Sequence, residues 1–125
     1  MLRLGISPGR GRGVFAARTI RTGEILEDAP VVVVPAHEVA LLKRTCLFGY
    51  YFLWGEASGE AAICLGYGSM YNHSEKPNAA YQRCFPQEFI RFRALRDIAE
   101  GEEIFTNYHG ARQRDTPCVF EEVCT

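Results

Sequence analysis

The stretch "GSMYNHSEKPNAAY", residues 68–81, sets Asn72, His73 and Ser74 side by side and ends in Tyr81. Three short patterns compete for it. Asn-His-Ser fits a glycosylation sequon, His73 beside Ser74 could pair a nucleophile with its base, and His73 could ligate a metal. Each needs a context that the chain does not offer. Glycosylation requires a secretory route, and the opening "MLRLGISPGRGRG" carries no apolar h-region. A Ser–His pair must converge, whereas neighbours in extended chain point to opposite faces. Metal binding needs partners, and His37 and His109 each stand alone in their segments.

Composition narrows the class. A chain of 125 residues with 47% hydrophobic and 23% charged residues reads as one globular domain with a single core. A net charge of −1 and a pI near 6.3 argue against direct nucleic-acid binding, which needs a basic surface. No apolar run approaches the roughly 20 residues that span a bilayer; "APVVVVP" is short and fenced by prolines. The expectation is a cytoplasmic protein, nuclear if its host is eukaryotic, with no membrane contact. Cys46, Cys64, Cys84, Cys118 and Cys124 form no C-x-x-C pair and read as reduced, mostly packed thiols rather than a zinc site.

Along the chain, short strand-like runs alternate with turns. "LRLGI" leads into the glycine-rich turn "SPGRGRG", and "VFAARTI" is the next strand. After a turn at Gly23 comes an alternating segment. "VVVV" at 31–34 reads as a strand buried on both faces. "AHEVALLKR" is the one convincing early helix, with Val39 and Leu42 on one face. The aromatic block "CLFGYYFLWG" has no clear period, and "SGEAAICLGYG" is a turn and a strand. "NAAYQRC" and "EFIRFRAL" read as strands about the Phe85-Pro86-Gln87 connection, the second alternating Ile90, Phe92 and Ala94 with Arg91 and Arg93. A turn at Gly101, a short strand and the polar tail "ARQRDTPCVFEEVCT" close a compact, mostly β domain.

Two further segments matter in combination with the first. "GRGRGVFA", residues 9–16, lacks the G-K-[ST] of a phosphate loop, and a strand rather than a helix follows it. Its glycines suit a tight turn, and also the close approach of a ligand to backbone N–H groups. "GEEIFTNYHG", residues 101–110, is a turn, a strand and another turn, with Tyr108 near its end.

Taken in order, "GRGVFA", "YNHSEKPNAAY" and "GEEIFTNYHG" resemble the three signature blocks of the SET-domain family of protein lysine methyltransferases. The chain resembles the minimal, stand-alone forms found in viruses and bacteria. The resemblance covers residues 1–110, leaving 111–125 as a tail. It implies a mostly β fold of small, β-clip-like sheets with one or two short helices. A C-terminal pseudoknot would bring residues 72–78 beside 103–108. It implies S-adenosylmethionine as methyl donor and a lysine of a protein or peptide as acceptor, held by strand addition.

The resemblance also assigns roles. Gly11, Arg12 and Gly13 would give backbone contacts to the cofactor's amino-acid end. Asn72 would hydrogen-bond the cofactor by its side chain, while His73 would meet the adenine by its backbone and brace the turn by its ring. Tyr108 would sit where donor and acceptor meet, with Tyr81 and Thr106 lining the lysine channel. The cysteine-rich zinc segments that flank many relatives are missing, so no metal is implied; the otherwise isolated apolar cluster around Phe120, which the resemblance does not cover, gives the separate expectation that the tail folds over the cofactor or lysine. The chemistry asks for a neutral amine, although a free lysine with a pKa of about 10.4 is charged at neutral pH. An apolar channel and an adjacent sulfonium would lower that value. The rival reading is a SET-like module that binds peptide or cofactor without turnover. A homodimer is compatible with so small a domain.

Overall fold

A computed structural model describes residues 1–55 and 58–108. Gly110, Phe120 and the rest of the tail lie outside the described residues. Two sheets make up the fold. In the first, β1 (Leu2–Ser7), β2 (Gly11–Ala16), β9 (Glu103–Thr106) and β6 (Asn72–His73) lie in the order β1-β2-β9-β6. In the second, β4 (Tyr51–Leu53), β5 (Ala61–Cys64), β3 (Ile25–Val34), β8 (Phe89–Ala94) and β7 (Ala79–Cys84) lie in the order β4-β5-β3-β8-β7. One α-helix, α1 (Ala36–Leu42), and one 3-10 turn (Gly68–Met70) complete the elements among the described residues. The expected β-rich fold of small sheets is the observed one.

The β1–β2 hairpin closes at Ser7 opposite Gly11, around Pro8, Gly9 and Arg10. Gly9 and Gly11 both take positive φ, +77° and +81°, the left-handed conformation that only glycine adopts without cost. The turn is therefore shorter than "SPGRGRG" suggested, because Gly11, Arg12 and Gly13 already pair with β1. Strand β3 is also longer than expected. Its run of four valines continues the alternating segment before it, and Val32 is exposed, so the strand is buried on one face rather than two. Helix α1 forms where expected but buries no residue; Val39 and Leu42 are only half-covered. The block "CLFGYYFLWG" resolves into turns and the three-residue strand β4.

Strand β8 departs from simple alternation. Ile90, Phe92 and Ala94 face the core as expected, but Arg91 is 5% exposed. Its Nε and Nη2 both donate to Asp28 across the β3–β8 pair, each at 2.7 Å. This bidentate match satisfies two guanidinium donors and lets a cation lie within a sheet face.

The two sheets meet over a core of Val14, Ile20, Tyr71, Ile90, Phe92, Ile98 and Ile104. The decisive pairing is between β6 and β9. These strands run parallel, Asn72 opposite Phe105 and His73 opposite Thr106, and the contact continues as Ser74 N donates to Thr106 O at 3.0 Å. Asn78, 2% exposed, fastens the same strand from the side. Its Nδ2 donates to Glu103 O and its Oδ1 accepts from Phe105 N, both at 2.8 Å. A carboxamide sets an N–H donor and a C=O acceptor side by side and so reads one edge of a strand as another strand would. Residues 72–78 thus lie beside 103–106, as the resemblance implied.

Replacing Asn78 by alanine orphans two buried backbone groups on β9. The expected cost is roughly 2–4 kcal/mol, visible as a lower denaturation midpoint with an unchanged denaturant slope.

Candidate active site

The β6–β9 pairing assembles a cleft from four separate stretches of chain. Arg10, Gly11 and Arg12 come from the hairpin, Gly49 and Tyr50 from the turn before β4, and Ser69, Met70, Tyr71, Asn72 and Tyr108 from the sheet junction. Its cavity volume is about 100 Å³, less than the roughly 300–1,000 Å³ typical of complete small-molecule sites, so the described residues form one open wall of a site rather than enclose it.

Asn72 is the hinge of this wall. Its Nδ2 donates to Arg12 O at 3.0 Å and to Glu103 Oε2 at 2.8 Å. The other oxygen of Glu103 accepts from Ser7 Oγ at 2.8 Å, and Ser7 is 1% exposed. Gly13 does not line the cleft but makes this network possible. A Cβ there would press into Glu103 Oε2 and come within 2.7 Å of Asn72 Nδ2. The glycines of "GRG" thus have different reasons: Gly11 for its backbone conformation, Gly13 for the space it leaves.

Tyr108 is held at three points. Its hydroxyl donates to Tyr71 O at 2.7 Å, its N–H to His73 Nδ1 at 3.0 Å, and its carbonyl accepts from Tyr81 Oη at 3.1 Å. The His73 and Tyr108 rings lie 5.0 Å apart. The His73 ring therefore braces the chain at Tyr108. Partial burial, then the neighbouring Tyr50, push the Tyr108 phenol above its ordinary value, so it stays protonated at neutral pH.

Tyr81 and Thr106 stand apart from the cleft. Tyr81 is 7% exposed, with its ring edge-on to Phe52 at 4.9 Å. Thr106 is 1% exposed, and its hydroxyl has no partner among the described residues. Sequence reasoning did not single out Asn78, Glu103, Ser7, Arg10 or Tyr50. Asn78, Glu103 and Arg10 lie inside the motif stretches, but Ser7 and Tyr50 give no signal of their own.

The lining fits S-adenosylmethionine. Guanidinium groups at Arg10 and Arg12 suit a carboxylate, and the open space over Gly11 and Gly49 suits close approach of a ligand to the backbone. Oxygens of Tyr108 and Tyr71 suit a sulfonium methyl group. Among the described residues no group of three His, Cys, Asp or Glu side chains could hold a metal ion, and no helix is long and apolar enough to cross a membrane.

The fold is one of small sheets with a parallel strand pair at its heart and a tyrosine at the edge of the cleft, and comparison with known proteins identifies its class as methyltransferase. The SET-domain family model matches residues 11–109, and the chain belongs to that family. It is 33% identical over 100 residues to the H3 lysine-37-specific histone-lysine N-methyltransferase of Schizosaccharomyces pombe, across 79% of this chain and 67% of that protein. Among solved structures it resembles a Plasmodium falciparum protein assigned as a histone methyltransferase, with a TM-score of 0.70 and 28% identity over 86% of this chain and 96% of that one. Polycomb repressive complex 2 of Chaetomium thermophilum bound to S-adenosylmethionine matches with a TM-score of 0.74 and 25% identity, over 86% of this chain and 15% of that chain. The protein is a protein-lysine N-methyltransferase that uses S-adenosylmethionine.

Gly13→Ala should displace Glu103 from Ser7 and Asn72 and distort the cleft wall. The expected result, by calorimetric titration with S-adenosylhomocysteine, is a loss of affinity of about 5- to 150-fold, the scale of one hydrogen-bond network of ~1–3 kcal/mol.

Proposed function

We propose that the cleft between the hairpin and Tyr108 is the cofactor site, and that Tyr108 directs methyl transfer to a lysine of a histone-type basic tail. The observation that carries this reading is the seat of the Tyr108 hydroxyl on Tyr71 O, at the cleft lined by Arg10, Gly11, Arg12 and Asn72. S-adenosylmethionine supplies an activated methyl group on a sulfonium. The residues of the chain align and surround it.

Arg10 and Arg12, with the backbone at Gly11, take the amino-acid end. Asn72 fixes the wall through Arg12 O, and the backbone at His73 takes the adenine edge. Tyr108 places a phenolic oxygen, and Tyr71 a carbonyl oxygen, where positive charge is concentrated in the transition state. Because the Tyr108 phenol is protonated, it works as a fixed dipole and not as a phenolate base. Tyr81 and Thr106 shape the path of the lysine side chain, Tyr81 through its bond to the Tyr108 carbonyl. An apolar passage favours the neutral amine that the reaction needs. No carboxylate pair or metal enters this account. Alignment of nitrogen, methyl and sulfur is worth up to roughly 7–11 kcal/mol in favourable systems.

The similarity to histone-lysine methyltransferases supports a histone-type substrate, and hence a nuclear location in a eukaryotic host. Residues 1–110 form the catalytic core in this reading. Residues 111–125, with Phe120, close over the site, and two copies pairing would extend the peptide groove. A pure binding module would not need the Tyr108 hydroxyl, so its removal separates the two readings.

Tyr108→Phe should lower the rate of methyl transfer from labelled cofactor to core histones by about 10²–10³, with cofactor affinity changed only a few-fold. Equal loss of both quantities would contradict the assigned role. Deleting residues 114–125 should weaken cofactor binding and turnover together, and unchanged values for both would refute a closing tail.

A further inference from the structure

Glu27 is a half-buried carboxylate that the methyl-transfer reading does not use. It projects from β3 at the bulge between Ile25 and Glu27, opposite Phe92. Its Oε1 accepts the Tyr71 hydroxyl at 2.8 Å, and its Oε2 accepts Tyr67 N at 3.3 Å. The same Oε2 lies 3.0 Å from where a Cβ on Gly66 would stand, so the carboxylate sits tightly under the turn that leads into the 3-10 segment. That segment supplies Ser69 and Met70 to the cleft, and Tyr71 follows it directly.

The surroundings make Glu27 a costly choice. Tyr71 is 3% exposed, with its ring 4.5 Å from that of Phe92. Burial pushes the Glu27 carboxyl above its ordinary value, while the bonds from Tyr71 and Tyr67 pull it back and the neighbouring Asp28 adds to the rise. The nearby Cys64 thiol, pushed up to about 12 chiefly by burial, is neutral, and burial raises Tyr71 as well. An apolar residue would pack here without that penalty. The carboxyl group holds the Tyr67 N–H and the Tyr71 side chain, and with the latter the peptide whose carbonyl receives the Tyr108 hydroxyl.

We propose that Glu27 is a positioning residue for methyl transfer, acting through Tyr71 to fix the carbonyl on which the Tyr108 hydroxyl rests. The chain of bonds runs from Glu27 to the Tyr71 hydroxyl, and from the Tyr71 carbonyl to the Tyr108 hydroxyl. Tyr108 is tied in turn to Tyr81, whose strand neighbour Phe92 also pairs with Glu27. The loop joins the two sheets and closes around the reacting position. Glu27 touches neither substrate nor cofactor. The proposal rests on the Tyr108 reading above.

The test is a double-mutant cycle. Tyr71→Phe keeps the ring and the carbonyl but removes the hydroxyl that Glu27 holds; Glu27→Gln removes the charge. Each variant is made in the wild-type and in the Tyr108→Phe background. The readouts are single-turnover label transfer from tritiated S-adenosylmethionine to a mixed protein extract, at saturating cofactor, and cofactor affinity. In the wild-type background Tyr71→Phe should slow transfer about fivefold or more, the scale of coupling between contacting groups, with affinity changed less than about twofold. In the Tyr108→Phe background the same change should have almost no further effect, because the hydroxyl being positioned is gone. A merely structural role would cost the same factor in both backgrounds, and that result overturns the proposal, as does a Tyr71→Phe variant of wild-type rate. Should Glu27→Gln fail to fold, the Tyr71→Phe arm still decides. If Tyr108→Phe alone leaves the rate unchanged, the Tyr108 reading falls first and Glu27 has nothing to position.

Discussion

The parallel pairing of β6 with β9, locked by the carboxamide of Asn78, is the constraint on which the rest depends. It sets Asn72 opposite Phe105 and His73 opposite Thr106. Parallel neighbours cannot be joined by a tight turn, so a long crossover must separate them. Here that crossover is the β7–β8 hairpin and the segment after it, which belong mainly to the second sheet. The closing strand then finds its place between β2 and β6. Asn78 serves that arrangement cheaply, since one side chain satisfies two main-chain groups that no neighbouring strand reaches.

From this pairing the site follows with few additional parts. Tyr108 lies two residues beyond β9 and is caught by His73, the partner strand's own last residue. Asn72 reaches back to the hairpin, and Glu103 links it to Ser7. Four short segments, distant in sequence, are thus fixed to each other by hydrogen bonds rather than by a large core. Such a site suits a reaction that needs alignment and oriented dipoles more than proton transfer. A histidine that the sequence offers as a base or a ligand serves instead to hold backbone.

Much of this was legible in the sequence, and the reasons differ by feature. Turn glycines at Gly9, Gly23 and Gly101 mark the chain where φ is positive, and strand alternation finds β7 and β8. The three motif blocks name Asn72, His73 and Tyr108 because their order and spacing are specific. What the sequence hides is partnership across elements. Arg91 reads as a solvent-facing cation until Asp28 appears opposite it on β3. "VVVV" reads as doubly buried because a run of apolar residues does not say what covers each face, and nothing covers Val32 fully. Glu103 and Asn78 carry no periodicity at all; their roles arise only when a distant strand is laid beside them. Tyr50 comes from a block whose period is ambiguous, and only the folded turn carries it to the cleft.

The account's central claim is that the cofactor lies between the hairpin and Tyr108, on the wall that Asn72 holds. Amide chemical-shift mapping by two-dimensional NMR during titration with S-adenosylhomocysteine tests it most directly. The predicted result is saturable shifts at Gly11, Arg12, Tyr50, Asn72, His73 and Tyr108, with the Gln82 and Arg91 amides of the β7–β8 hairpin unmoved. Saturable shifts centred on that hairpin, with Gly11, Asn72 and Tyr108 unchanged, would contradict it.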